Sequence, residues 1–295
     1  MIRPKNFGSN PETISNNAFQ NSPISEATAQ DIQQKALEEF DLALRTLQAH
    51  DVNVIVFEDR DQPVCPDAIF PNNWISLHGG KHLITYPMYA PSRRAERRND
   101  IIEFFEKEHG FTKRYTFEYL EEENQFCEGT GSIVLDRENK IMYACLSERT
   151  DIRVLDKFAV VKGYRKICFH AAYANNAIYH TNVMMSMGDK YVVICMDAIL
   201  EESEKSMLLD SFKSTQKTVI DISLEQMANF CGNILQIRSQ LGEPIVVMSD
   251  SAYGKYDAKQ LDMIGANSKI LSIPIPTIEK YSGGSIRCML AEVHF

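Results

Sequence analysis

Strand-like apolar runs recur in pairs along this chain, each pair joined by a short polar turn. The pairs are "WISLHGGKHLITYPM" from Trp74, "SIVLDRENKIMYACL" from Ser132, "NVMMSMGDKYVVICM" from Asn182 and "ILQIRSQLGEPIVVMS" from Ile234. Each predicts a β-hairpin. Between them lie "SRRAERRNDIIEFFEKEHG", "SERTDIRVLDKFAVVKG", "LEESEKSMLLDSFKS" and "AYGKYDAKQLDMIG", whose spacing or charge pattern is helical. The stretch "ATAQDIQQKALEEFDLALRTLQAH", residues 27–50, predicts another helix, followed by a strand at "NVIVF". One more short apolar strand is predicted after Cys288.

A polar residue stands at or just before the first strand of each hairpin. These are Asn73, Glu128, His180 and Asn233, with Cys288 before the last strand, at successive separations of 55, 52, 53 and 55 residues. A recurrence of this length marks a repeated supersecondary unit, and repeats that close into a ring bring equivalent positions to one axis. Such a ring would gather the five residues around one pocket. Gly283 and Gly284, ahead of Cys288, are expected to let main chain approach a ligand closely. The "GTG" at 129–131 follows Glu128 in a similar way, but no helix is predicted to open behind it, which argues against a nucleotide loop.

Composition narrows the classes. At 295 residues and 44% hydrophobic content the chain can bury one large core or two modest ones. A net charge of -9 and the absence of a dense basic tract, "SRRAERR" being too short to count as one, argue against nucleic acid or anionic membrane as partner. No apolar run is long enough for a membrane span, and "MIRPKNFGSNPET" lacks the apolar core of a signal peptide, so a cytoplasmic protein is expected. Seven cysteines are scattered without a CxxC pair, which suggests neither a disulfide framework nor a zinc knuckle.

A thiol, an imidazole and a carboxylate on one pocket supply a nucleophile, an acid/base group and an orienting or substrate-holding acid. "PDAIFPNNW", "APSRR", "CEGTGS", "LSERTD", "YHTN" and "GGSIRC" occur in an order that resembles the guanidine-modifying, or pentein, superfamily of arginine deiminase, dimethylargininase and the amidinotransferases. The match spans nearly the whole chain, and the bacterial citrulline-utilisation hydrolases look most similar, including the opening "RPKNFGSN". The resemblance implies an α/β fold, a five-bladed α/β propeller of ββαβ units around a central active-site axis, with residues 1–295 as a single catalytic domain. It also implies Cys288 as nucleophile, His180 as general acid and base, and Glu128 as the carboxylate on the substrate's terminal nitrogens. Asp67 would bind the substrate α-amino group, and Arg149 with either Arg93 or Arg94 its carboxylate.

The departures from that pattern bear on the substrate. Asn72 and Asn73 stand where dimethylargininases carry two adjacent acids, and Asn182 where arginine deiminases carry an Asp. A buried guanidinium needs carboxylates, because a desolvated charge without a partner is costly. A ureido group is neutral and is better served by side-chain amides, which offer both donor and acceptor. With Asn233 completing the set, the expected reaction is thiolate attack on the ureido carbon of citrulline or a close derivative. His180 protonates the departing amine, and the S-carbamoyl enzyme is hydrolysed to ornithine, ammonia and carbon dioxide. No metal or organic cofactor is required, and homo-oligomerisation is left open. The alternatives are an arginine deiminase or dimethylargininase-type hydrolase, an amidinotransferase, and a ribosome-binding, non-catalytic pentein.

Overall fold

All four predicted hairpins form. In the computed structural model, which describes residues 1–14 and 28–295, Ile75–His78 pairs antiparallel with His82–Thr85, and Val134–Asp136 with Ile141–Cys145. Met185–Met187 likewise pairs with Tyr191–Ile194, and Leu235–Arg238 with Pro244–Ser249. The second strand of each hairpin then pairs in parallel with a third: Lys113–Thr116, Arg165–Phe169, Thr218–Asp221 and Lys269–Ile273. A parallel pairing needs a crossover, and a helix supplies it each time. The helices are Asn99–His109, Ile152–Lys162, Glu202–Ser214 and Ala258–Gly265. The result is four ββαβ units, each with a three-stranded sheet.

The helices form for readable reasons. Ile152–Lys162 starts at Asp151, whose side chain accepts from the Arg153 N–H, and ends at Gly163 with φ 66°. Its Val154, Leu155 and Phe158 are buried against the sheet. Truncating Phe158, which is fully buried, would cost about 3–5 kcal/mol. Ala29–Gln48 starts at Thr28 in a capping box with Asp31 and buries Ile32, Ala36, Phe40, Ala43 and Leu47 at helical spacing. Ala27, the first residue of that predicted helix, lies outside the described residues.

Several boundaries differ from expectation. The helix predicted over 92–110 is two pieces, Pro91–Arg94 and Asn99–His109, with Arg98 extended between them so that its guanidinium reaches Asp100 and the Glu58 carbonyl. The helix predicted from Ala252 is divided too, because Asp257 opens a new capping box with Gln260. Of the "NVIVF" strand only Phe57 is paired, since its partner strand Ile2–Arg3 offers two residues, facing Phe57–Glu58 in parallel. The strand expected after Cys288 is a turn through Leu290, and then a parallel bridge from Val293 to Leu77.

The first strands of neighbouring units pack on one another, Val134–Asp136 against Met185–Met187 and the latter against Leu235–Arg238. The polar residues at the heads of these strands therefore share one end of the fold.

Candidate active site

A one-turn corner precedes each of three first strands. Pro71–Asn73 is a 3-10 turn, Gly129–Ser132 a helical turn capped by Glu128, and Thr181–Met184 a helical turn capped by His180. The "GTG" motif thus does open a helical turn, contrary to the sequence reading, though only a four-residue one. Adjacent units are stitched together here. The Ser132 hydroxyl accepts from the Glu128 N–H at 2.9 Å and donates to the Arg149 carbonyl, while Thr181 donates to the Ser132 carbonyl at 2.6 Å.

The two glycines of "GTG" are steric requirements. A Cβ on Gly131 would lie 2.5 Å from Asn73 Nδ2 and 2.8 Å from His180 Nδ1, and one on Gly129, at φ +49°, would lie 2.3 Å from the Asn72 carbonyl. They admit neighbouring corners rather than a ligand. The same correction applies at Gly283 and Gly284. Gly283 ends the helix Pro276–Ser282 in the left-handed conformation, and Gly284 packs against the Phe70 ring, where a Cβ would lie 2.7 Å away.

The five recurrent residues converge. Asn73 Nδ2 faces the Glu128 carbonyl at 3.5 Å, and the Glu128 carboxylate accepts from His180 Nε2 at 2.7 Å. Two residues past His180, Asn182 donates to Cys288 Sγ at 3.6 Å; Asn233 donates to the same sulfur at 3.4 Å and to the Asn182 carbonyl at 2.9 Å. Among the described residues, the side chains hydrogen-bonded to the sulfur are two neutral amides. The whole group is nearly sealed, with Cys288 at 6%, His180 at 4% and Glu128 at 0% exposure. Two side-chain amides reach the Cys288 sulfur, whereas at Cys127 and Cys145 burial dominates, pushing the first thiol well up and the second up to about 12.

Charge around Glu128 is dense. Burial raises its pKa, but Arg149 at 3.6 Å, His180 and Arg93 at 3.8 Å together hold it well below the usual carboxylate range. The Tyr89 N–H donates to its other oxygen at 3.0 Å. Burial lowers the pKa of His180 despite Glu128, with Arg149 and Arg93 adding to the lowering, so its ring is neutral near neutral pH. With Glu128 ionised, the proton of that neutral ring sits on Nε2 and Nδ1 carries the lone pair.

Asp67 accepts from Asn10 at 2.8 Å and lies 3.7 Å from Arg93. Of the two candidate arginines, Arg93 faces the site, donating to Asn73 Oδ1 at 3.0 Å, whereas Arg94 turns away to the Met88 carbonyl, Glu121 and the Phe126 ring. Arg149 stacks 4.8 Å over the Tyr179 ring and donates to the Thr13 carbonyl. Asn72 is fully buried, and among the described residues neither polar atom of its side chain has a hydrogen-bond partner; Asn182 Oδ1 has none there either. The sequence reading missed Glu96, which grips Arg93 through two bonds of 2.8 and 2.9 Å. Its i,i+3 spacing from Arg93 was the available signal. Among the described residues no cluster of metal-ligating side chains occurs, and no helix is long and apolar enough to cross a membrane.

Comparison with known proteins places this geometry in context. The fold matches that of ArgZ, an arginine dihydrolase from the ornithine-ammonia cycle in Cyanobacteria, with TM-score 0.75 and 17% identity over 100% of this chain; this chain spans only 40% of that one. It matches the N-terminal domain of a substrate-bound cysteine-to-serine ArgZ mutant with TM-score 0.73 and 16% identity, covering 98% of this chain and 95% of the domain. A cysteine-to-serine mutant of the DDAH from Pseudomonas aeruginosa, complexed with citrulline, gives TM-score 0.67 and 17% identity, with 98% and 95% covered. No curated protein sequence matches significantly. At these identities the structures establish a shared mixed α/β fold. The family model of eukaryotic N,N dimethylarginine dimethylhydrolase matches residues 3–295, and the chain therefore belongs to that family of C–N bond hydrolases, within the pentein superfamily.

Proposed function

We propose that this chain is a cysteine-dependent hydrolase of the C–N bond between the ureido carbon and the side-chain nitrogen of a ureido amino acid, citrulline or a close derivative. Cys288 is the nucleophile, His180 the acid and base, and Glu128 the acid that orients His180. The observation that carries the ureido reading is the amide lining. Asn182 and Asn233 are the groups at the sulfur, and the Asn72 amide is buried with donors and acceptor unsatisfied. A polar group in that state needs a partner, and a ureido end offers both N–H donors and a carbonyl. Charge balance agrees. Asp67, Glu96 and Glu128 surround Arg93 and Arg149, and burial pushes Glu96 up to about 7, so near neutral pH the cluster passes between one net negative charge and neutrality, and its neutral form suits a zwitterion with a neutral tail.

In the reaction, the Cys288 thiol gives up its proton, the Nδ1 lone pair of His180 takes it up, and the thiolate adds to the ureido carbon, with the nearby amide N–H groups able to stabilise the oxyanion. The C–N bond to the departing amine breaks as His180 delivers a proton to that nitrogen. Water, deprotonated by the same imidazole, then attacks the S-carbamoyl carbon, releasing carbamate and the thiolate. Asp67 would hold the α-amino group and Arg149 with Arg93 the carboxylate. These assignments go with a single catalytic domain over residues 1–295, in which a fifth blade is assembled from both ends of the sequence. The Val293 to Leu77 bridge and the parallel pair Ile2–Arg3 with Phe57–Glu58, joined through the helix Ala29–Gln48, support that closure into a five-bladed propeller.

A guanidino substrate is the second reading, favoured by the family and by the three acids set against two arginines once Glu96 ionises. One experiment separates them. The protein is incubated with citrulline, arginine and methylarginines, products are identified by mass spectrometry, and specificity constants are compared for wild type and Asn182→Asp. The ureido reading expects citrulline to be preferred, and citrulline turnover to fall about a hundredfold in the variant, because the new carboxylate faces a neutral group. Preference of the wild type for arginine overturns it and leaves the thiol chemistry standing.

A further inference from the structure

A second concavity lies beyond the catalytic corners. It encloses about 710 Å3, within the range of small-molecule sites, and none of Cys288, His180 or Glu128 is in its wall. The first strands of the ββαβ units line it with apolar side chains, among them Leu77, Leu135, Met185 and Ile237, and the hairpin-turn residues Glu138 and Asp189 lie at its exposed rim.

Four cations, Arg137, Lys217, Arg238 and Arg287, face four carboxylates, Asp136, Glu138, Asp189 and Glu292, in this wall, but they are not matched one to one. Glu292 is shared by Arg137 at 3.3 Å and Arg287 at 3.4 Å, with His294 at 3.1 Å. Asp136 is already matched by Lys217 at 3.7 Å, and Asp189 at the rim by Arg238 at 2.5 Å. Glu138 is exposed and solvated. Two guanidiniums on one carboxylate leave a cation in excess, and Arg287 is 7% exposed, so water compensates it poorly. An apolar cavity with locally surplus guanidinium charge complements an anion carried on a hydrocarbon body.

We propose that this cavity binds a small amphipathic monocarboxylate, its head on Arg137 and Arg287 and its apolar body against the strands. The inference does not depend on which substrate the catalytic site takes. Trp74 is the one tryptophan of the chain and stands in the wall, so its emission reports occupancy directly. The probe is octanoate, titrated through the millimolar range, with 1-octanol as the neutral control. Octanoate should give a saturable change in Trp74 emission, and octanol a response at least about tenfold weaker in affinity. Arg137→Gln, at a partly exposed position, should weaken octanoate by a similar factor and leave octanol unchanged. Ile237→Glu, which puts a carboxylate into the same wall at a half-buried position, should do so as well. No saturable response to octanoate, equal affinity for octanol, or octanoate binding unaltered in both variants would overturn the proposal.

Discussion

At the scale of single residues, the surroundings of Cys288, the proposed nucleophile, make the most specific demand. A sulfur contacted by two amide N–H groups is held in place by neutral donors. Quenching the enzyme during turnover should therefore trap a carbamoyl adduct on Cys288, and Cys288→Ser should remove both the adduct and the activity. Peptide mapping that puts the adduct on Cys127 would refute the assignment; burial outweighs the Ser132 hydrogen bond there and keeps that thiol protonated. Recurrence in register drew attention to Asn73, Glu128, His180, Asn233 and Cys288, which the fold brings to one end, and the family resemblance singled out Cys288, His180 and Glu128 among them. It could not choose between Arg93 and Arg94, because adjacent residues on a short helical turn point different ways and only the packed turn decides. Glu96 was hidden for a related reason. An acid three residues after an arginine is ordinary on a surface helix, and its significance comes from burial, which the local sequence does not report.

At the scale of elements, the one-turn corners convert a repeat into a site. Each takes a polar residue from the end of one unit and aims it at its neighbours before the first strand begins, and the "GTGS" corner is the tightest. Gly131→Ala forces Asn73 Nδ2 and the His180 ring to move, because their approach to the new Cβ is closer than real contacts allow. Both obstacles are ends of side chains and not backbone, so the fold should survive while the imidazole is displaced. Displacement of about 1 Å can cost about a hundredfold in rate. The expected result is a kcat loss of that order with a melting transition near that of wild type; unchanged kcat would show that His180 is not held in its working position by this corner. The hairpins and helices were legible because apolar spacing reports them directly. Their corners and the short pairings at Phe57 and Val293 were not, since these depend on partners more than fifty residues away.

At the scale of the whole molecule, buried carboxylates set the response to pH, and they do not all push in the same direction. Glu128 and Glu292 have folded pKa values depressed below the ordinary one, in spite of burial, by arginines and histidines around them. Each contributes stability that is present above the unfolded pKa and is lost as pH falls through the folded value. Glu96 is opposite. Burial, with Asp67 and Glu128 adding to it, outweighs Arg93 and pushes its pKa from 4.5 up to about 7. Its stabilising contribution is full below about 4.5 and is lost as pH rises through about 7, an effect on the order of 2–3 kcal/mol. His180, lowered by burial, works against this trend on acidification, so wild type alone does not isolate Glu96. Subtracting the urea-unfolding free energy of Glu96→Gln from that of wild type at each pH removes the histidine contribution common to both. The difference should favour wild type increasingly as pH falls from about 7 towards about 4.5. A flat difference across that window would mean that Glu96 stays ionised beside Arg93 throughout. The catalytic cluster would then carry one net negative charge at neutral pH, and the charge argument for a neutral substrate tail would pass to the guanidinium reading.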